Sequence, residues 1–278
     1  MRVDQVESFG QSTIQHGSAN DRVYLMELDR SDFPSILSHI NGLAILHNYT
    51  KVFAKVPEFA RDYFEQDGYR VEASIPNFYR GEEDVFFMAR YFHPDRLIDH
   101  AADKVQEVLV AARSKASSSH DISLPDGCVC RVASPADREQ MAHLYQRVFA
   151  SYPFPIHDPD YLVETMDENV IYVGIWKGDL LLALASTEID FKGGNAELTD
   201  FATDPDWRGH GLAHVLLSHL ENEMRSSGHS TCYTIARSTS FGMNICFAQN
   251  GYQFTGTLVN NTQISGGLES MNVWYKYV

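Results

Sequence analysis

The chemistry-bearing residues of this chain cluster between positions 197 and 213. Glu197 and Asp200 sit in an extended run, Glu197-Leu198-Thr199-Asp200-Phe201-Ala202-Thr203, and the turn Arg208-Gly209-His210-Gly211-Leu212-Ala213 follows it. Leu212, Leu216, Leu220 and Met224 then recur at every fourth position, the apolar stripe of a helix, and Gly228 stops that helix. Glycines between a strand and a helix leave backbone N–H groups free at the positive end of the helix dipole, which makes a cradle for phosphate. A carboxylate beside such a cradle can accept a proton, directly or through water. In a regular strand Glu197 and Asp200 point to opposite faces, and a bulge would bring them closer. The two commoner phosphate loops, G-x-x-x-x-G-K-[ST] and G-x-G-x-x-G, do not occur.

Positioning that turn takes a sheet. The C-terminal part reads as strand 128–133, helix 135–149, a Pro-rich turn and a short helix at 159–167. Strands 169–176, 180–190 and 196–203 follow, then helix 212–227, strand 230–236, helix 241–249 and strands 252–259 and 271–277. Ser134 is a fitting N-cap for the first helix, with Pro135 at its first position. The N-terminal part carries a partial echo. Phe64-Glu65-Gln66-Asp67-Gly68-Tyr69 repeats the pattern of Phe247-Ala248-Gln249-Asn250-Gly251-Tyr252, and two strand-like runs follow each hexapeptide. Strand Val23–Leu28, helix Ser31–Gly42, strand Tyr49–Lys55 and helix Pro57–Gln66 precede the first copy. The order β-α-β-α-β-β copies the second half of the C-terminal part, so a degenerate half-repeat is expected. Its strand-to-helix junction, Leu28 to Pro34, has no glycine, and Pro34 lacks an N–H, so only the C-terminal copy can cradle phosphate. A helix over Asp95–Arg113 and a polar linker, Ser114–Ser119, join the halves, which divides the chain into 1–94, 95–125 and 126–278.

The R-x-x-G-x-A turn, set between strand and helix, resembles that of the GNAT (Gcn5-related) N-acetyltransferases, and the C-terminal element order matches their whole fold. The resemblance implies an α/β (α+β) chain with a GNAT domain around a mixed sheet, preceded by the GNAT-like half-domain. It implies acetyl-CoA as cosubstrate and no metal. Gly209, His210, Gly211, Leu212 and Ala213 would hold the pyrophosphate through backbone, with Arg208 adding charge. Phe201, Ala202 and Thr203 would pair with the pantetheine arm like an added strand. Ser240, Asn244 and Phe247 would lie along the same arm. Acetyl transfer needs a neutral amine, and with a pKa of ~10.4 only about one lysine-like amine in a few thousand is neutral at pH 7. Glu197 stands eleven residues before Arg208, the place of the catalytic glutamate in the Gcn5-type histone acetyltransferases that this strand resembles, and Asp200 is the second candidate base. Phe247 departs from the family, since many members carry a tyrosine there to protonate the leaving thiolate. Tyr233, Tyr252 and Cys246 are the alternatives.

A narrower resemblance covers nearly the whole chain. Ile14-Gln15-His16-Gly17, Asn20-Asp21-Arg22-Val23-Tyr24-Leu25-Met26, Ser151 to Pro159, Ile235-Ala236-Arg237-Ser238 and Phe241-Gly242-Met243-Asn244 look like the beta-lysine N6-acetyltransferases. That resemblance implies a small diamino-acid acceptor and a product that serves as a compatible solute. Its carboxylate would need a cation, Arg237 first and Arg22 second, if the N-terminal segment folds over the site. Tyr152, Phe154, His157 and Asp158 would line the alkyl chain and the 3-amine. Lysine, a polyamine or a protein lysine are the other acceptors of the same fold, and a non-catalytic CoA-binding sensor is the reading from another class.

Composition narrows the field independently. The net charge is −15, from 22 basic and 37 acidic residues, with no Lys/Arg cluster, so nucleic acid and anionic membrane are poor partners. No apolar run approaches the ~20 residues that span a bilayer, and Met1–Ser8 lacks the apolar core of a signal peptide. Cys128, Cys130, Cys232 and Cys246 fit neither a zinc pair nor a redox C-x-x-C, so four reduced cysteines in a cytoplasmic protein are expected. His210 and His214 have metal spacing but no third ligand. A half-sheet has an edge that needs covering, by the catalytic domain or in a homodimer.

Overall fold

The computed structural model describes residues 4–118, 123–264 and 266–278; Ser119, the end of the expected linker, lies outside them, as do the first three residues. In the N-terminal part the apolar runs form β1 (Gln5–Phe9), β2 (Ser12–Gly17), β3 (Arg22–Glu27), α1 (Ser35–His47), β4 (Lys51–Pro57), α2 (Arg61–Gln66), β5 (Arg70–Tyr79) and β6 (Glu83–Tyr91). Then come α3 (Ala102–Lys115), β7 (Cys128–Val132), α4 (Arg138–Val148), α5 (Pro159–Glu168), β8 (Val170–Lys177), β9 (Leu180–Asp190) and β10 (Asn195–Thr203). The chain ends with α6 (Leu212–Ser226), β11 (Thr231–Arg237), α7 (Phe241–Gln249), β12 (Gln253–Ile264) and β13 (Gly267–Tyr277).

Two sheets result. The first runs β1-β2-β3-β4-β6-β5 and the second β12-β13-β11-β10-β9-β8-β7. Read from the other edge, the second is β7 followed by β8-β9-β10-β11-β13-β12, so the first copies it strand for strand and lacks only β7. Directions agree too: β3 and β4 are parallel, as are β10 and β11, and the remaining neighbours are antiparallel. The sequence reading of a half-repeat therefore falls short by the β1–β2 hairpin, which stands where β8 and β9 stand. Among the described residues the N-terminal copy has no counterpart of α4 and α5.

Several helix limits also differ from the sequence reading, and the helix expected over Asp95–Arg113 is a 3-10 turn at Pro94–Leu97 followed by α3 from Ala102. Residues 30–32 form a 3-10 turn, and α1 starts only after Pro34, whose ring cannot enter a helix interior. Gly42 lies inside α1, which ends instead at Asn48, in the left-handed region at φ 55°. Helix α3 does not hang between the halves. Val105, Leu109 and Ala112 join the core formed by α6, α7 and the C-terminal sheet.

The sheets meet along β5 and β12. Tyr24, Phe53, Ile75, Phe78 and Phe87 of the first pack with Tyr233, Leu258, Met271 and Val273 of the second. Gly256 sits where any Cβ would lie 2.0 Å from the carbonyl of Glu72, so the strands approach this closely only at glycine. A bulge in β12, with Asn260 at φ 43°, turns three successive carbonyls toward the N-terminal part. Lys51 Nζ donates to Val259 O at 2.7 Å, Arg96 Nε to Asn260 O at 2.8 Å and Arg22 Nη1 to Asn261 O at 2.5 Å. Lys51 is itself fully buried and paired with Glu72 at 3.0 Å. Burial pushes its ammonium down to about 8, against the pull of Glu72.

Candidate active site

Strands β10 and β11 pair only from Asn195 to Glu197, opposite Thr231 to Tyr233. Beyond Glu197 the two strands splay, while β11 keeps its pairing with β13 as far as Arg237. The backbone of Leu198–Thr203 thus presents one open edge, and Phe201, Ala202 and Thr203 lie on it. Such an edge takes an extended chain by strand addition. On the other side, β10 bulges against β9. Thr199 pairs with Ser186 and Ala202 with Leu184, so Asp200 and Phe201 oppose Ala185 alone. Asp200 adopts φ 55°, in the left-handed region that Asp tolerates better than most residues. This bulge turns Asp200 to the face that Glu197 already uses.

The turn after β10 has the form of a cradle. Gly209 and Gly211 have φ of 83° and 71°, and a Cβ on Gly209 would meet nothing within 4 Å. Gly211 is the N-cap of α6, and its carbonyl accepts the N–H of His214 and of Val215, leaving those of Leu212 and Ala213 ahead of the first closed turn. Asp204 anchors the approach: it accepts from Asp206 N at 3.0 Å and pairs with Arg147 at 2.5 Å. Arg208 and His210 are exposed, and the His210 ring lies 3.2 Å from Trp207 O. An open strand edge leading into a glycine cradle fits a long thiol ester with a pyrophosphate group.

Glu197, Asp200 and Tyr233 face a cavity of about 1100 Å³ between the two halves. Glu188 lies directly across from Glu197 in the β9–β10 register and joins them on the floor. Tyr161, Tyr172 and Phe154 line the C-terminal side; Lys55, Phe78 and Tyr79 line the N-terminal side. Three carboxyls in one partly buried site raise one another's affinity for protons. Burial, then the charges of Glu197 and Asp200, pushes Glu188 up to about 8, with Lys55 opposing. Burial also raises Glu197, against Lys55 and a hydrogen bond with Tyr233. Asp200 is raised by burial but is held by hydroxyls: Ser186 donates at 2.6 Å, and Tyr152 and Thr199 also donate to it. Asp200 is therefore committed to its neighbours, whereas Glu197 and Glu188 face the cavity, both raised above the usual carboxyl range by burial.

Several residues singled out from sequence lie elsewhere. Arg237, expected at an acceptor carboxylate, is clamped by Glu269 through contacts of 3.0 and 2.6 Å and does not line the cavity. Arg22 is buried in the β12 clamp and does not reach the cavity either. Asn244 is fully buried, and its amide is spent within the fold. Its Nδ2 donates to Arg237 O and Ser240 O, and its Oδ1 accepts from Asn272 and Trp274, which leaves nothing for a ligand. Ser240 is the N-cap of α7. Phe247 is buried, edge-on to Phe201 at 5.6 Å. Of the segment 152–158, Phe154 lines the cavity, Tyr152 holds Asp200, Asp158 caps α5 by accepting Asp160 N at 3.0 Å, and His157 does not line the cavity. Among the alternatives to a tyrosine at 247, Cys246 lies beside His214 with its thiol pushed up to about 12 by burial. Tyr252 is a core residue, and Tyr233 alone of the three lines the cavity.

Glu188 and Lys55 went unnoticed in the sequence. Each is a charge inside a strand that is otherwise mostly apolar, Leu180 to Asp190 and Lys51 to Pro57, and that is the available signal.

The acetyltransferase (GNAT) family matches residues 138–252. The beta-lysine N(6)-acetyltransferase of Methanococcus maripaludis is 36% identical over 274 residues, which are 99% of this chain and 99% of that protein. The N-acetyltransferase YodP of Bacillus subtilis is 34% identical over 95% of each chain. The beta-lysine N(6)-acetyltransferase of Methanosarcina mazei is 35% identical, covering 87% of this chain and 96% of its own. These relatives extend through the N-terminal half, so the two-sheet arrangement falls within the likeness and is not an appendage to it. The chain belongs to the GNAT family of acetyl-CoA-dependent N-acetyltransferases, among the beta-lysine N6-acetyltransferases and their full-length relatives.

Proposed function

We propose that this enzyme acetylates the N6 amine of beta-lysine, in the cytoplasm, to give a compatible solute. The observation that carries this reading is the walled acidic cavity. Its far side is built from the N-terminal half, through Met26–Arg30, Lys55 and Phe78–Arg80, so the acceptor enters a half-open cavity with a wall on each side. A concave site of this size suits a small molecule. Two carboxylates on the floor suit an acceptor with two amines.

Acetyl-CoA supplies the acetyl group as an activated thioester. The N–H groups of Gly209–Ala213 hold its pyrophosphate, with Arg208 adding charge, and the open edge at Phe201–Thr203 aligns its arm. Glu197 takes the proton that the attacking amine must lose. Glu188, directly across from Glu197, can share a proton with it. Asp200, fixed by Tyr152 and Ser186, holds the bulge and adds negative potential.

Initial rates of free-thiol release with beta-lysine, alpha-lysine, spermidine and a lysine peptide, side by side, test this. The expected outcome is a kcat/KM for beta-lysine at least about tenfold above the others, about 1.4 kcal/mol in transition-state binding, with product acetylated at N6. Equal or better turnover of the peptide or of spermidine would sink the substrate assignment.

A further inference from the structure

We propose that Lys55, carried into the cavity by the N-terminal sheet, binds the carboxylate of the acceptor and so selects amino acids over bare polyamines. The inference rests on the reading of this cavity as the acceptor site.

Of the four basic side chains that line the cavity, two are in ion pairs and a third is held by backbone carbonyls. Arg30 pairs with Glu83 at 3.3 Å. Arg80 donates to Lys192 O at 2.6 Å and to Phe191 O, and Lys192 pairs with Asp29 at 2.7 Å. Lys55 donates only to the hydroxyl of Tyr233, at 3.3 Å, and no carboxylate of the described residues lies within ion-pair distance of it. Its neighbours along β4, Ala54 and Val56, are fully buried, so the ammonium stands in a strand otherwise given to core packing. A partly buried cation with no carboxylate in ion-pair contact, and only Glu197 and Glu188 acting on it at longer range, gains from a ligand that brings one.

The chemistry of the acceptor supplies it. A diamino acid brings positive charge for the acidic floor and one carboxylate, and Lys55 is the lining cation held neither by a carboxylate nor by the backbone. A polyamine of similar length brings only positive charge, and Lys55 would then oppose a like charge, which disfavours the wrong ligand as well as favouring the right one. Arg237 and Arg22, the cations that sequence alone suggested, are withdrawn from this role by Glu269 and by the β12 clamp. Tyr233 lends a second donor: with Lys55 donating to its oxygen, its own O–H can turn to the same carboxylate or to Glu197.

The test compares beta-lysine with 1,4-diaminopentane, which is the same molecule without its carboxylate. Wild type is expected to favour beta-lysine. In Lys55→Met, kcat/KM for beta-lysine is expected to fall by about 10- to 100-fold, mainly through KM, the range of a charge-assisted hydrogen bond. Turnover of 1,4-diaminopentane should stay within a few-fold of wild type or rise, which also shows that the variant folds. Lys55→Arg should recover part of the preference. Equal losses with both acceptors would overturn the assignment, because Lys55 would then act on the fold or on the floor carboxylates. An undiminished preference for beta-lysine in Lys55→Met would overturn it too, while leaving the acceptor assignment standing. A wild type without preference between the two acceptors would defeat both.

Discussion

The two sheets of this molecule share a strand order and differ at the positions where chemistry is done. Anchored at Tyr91 and Tyr277, the registers align Lys51 with Thr231, Phe53 with Tyr233 and Tyr24 with Glu197. Where the C-terminal copy places a carboxylate in the cavity, the N-terminal copy places a buried tyrosine, its ring centred 4.7 Å from that of Phe53 and tilted to it, in the layer between the sheets. Where the C-terminal junction has Gly209 and Gly211, the N-terminal one has a 3-10 turn and Pro34. One scaffold thus serves two ends: with a splayed edge, a glycine cradle and acids it is a reaction centre, and with aromatics and proline at the same places it is a wall. The difference shows that the order of strands positions a site but does not make one.

The largest expected effect breaks the symmetry at its centre. Glu197→Gln should lower kcat/KM by about 10²- to 10⁴-fold, the usual contribution of a positioned base, with acetyl-CoA binding by calorimetry unchanged. The matching change in the copy, Tyr24→Phe, should leave the rate within about twofold; a comparable loss there would mean that the wall takes part in the chemistry. Next come the junctions. Gly211→Val puts a β-branched residue at φ 71° and should raise KM for acetyl-CoA about tenfold or more, whereas Pro34→Gly should not move it. If Pro34→Gly raises that KM equally, the cradle is not confined to one copy.

The third contrast concerns stability. Lys51→Met removes the nearest cation of the buried Glu72, which keeps Arg70 at 3.4 Å and the hydroxyl of Tyr91, and should cost about 3 kcal/mol, roughly 6–12 °C in melting temperature. Lys276, paired with Glu221 in the C-terminal sheet, is 24% exposed, and Lys276→Met should cost clearly less. Equal losses in a calorimetric scan would deny the clamp any special part. The smallest effect is a slope. Glu188 is protonated in both states below about 4.5, and its proton is retained up to about 8 only in the folded chain, because burial raises it. Stability contributed this way is whole below about 4.5 and is lost as pH rises through about 8. Glu188→Gln removes that loss, so the melting temperature of the variant relative to wild type should climb from pH 5 to pH 9. A flat difference would show that Glu188 is not shielded from solvent.

What could be read from sequence follows from the range of the interactions involved. The cradle, the strand before it and the helix after it are local, and Arg208 to Ala213 carry their own conformational signal in two glycines and a leucine stripe. The repeat was visible in the two F-x-Q-[DN]-G-Y hexapeptides, which close a helix and start a strand in both copies. The β1–β2 hairpin was not, because its strands are short and β1 is mostly exposed, so neither alternates cleanly. The acceptor site was the least legible part. Lys55 and Glu188 are 133 positions apart in the chain, and only the packing of β5 against β12 brings their strands to one chamber. Arg237 looked available for the opposite reason: its partner, Glu269, arrives from β13, across a strand pairing that the sequence did not announce.

The shared cavity has a consequence for how such enzymes change over time. The wall belongs to one sheet, and the strand edge and glycine turn belong to the other. Substitutions at Lys55, Phe78 or Tyr79 can therefore alter which amine is admitted while the parts that receive the acetyl donor keep their sequence. Most duplicated domains diverge by acquiring separate tasks; here the spare copy becomes adjustable hardware for the working one, and new acceptors lie a few mutations away on a surface that never has to do chemistry.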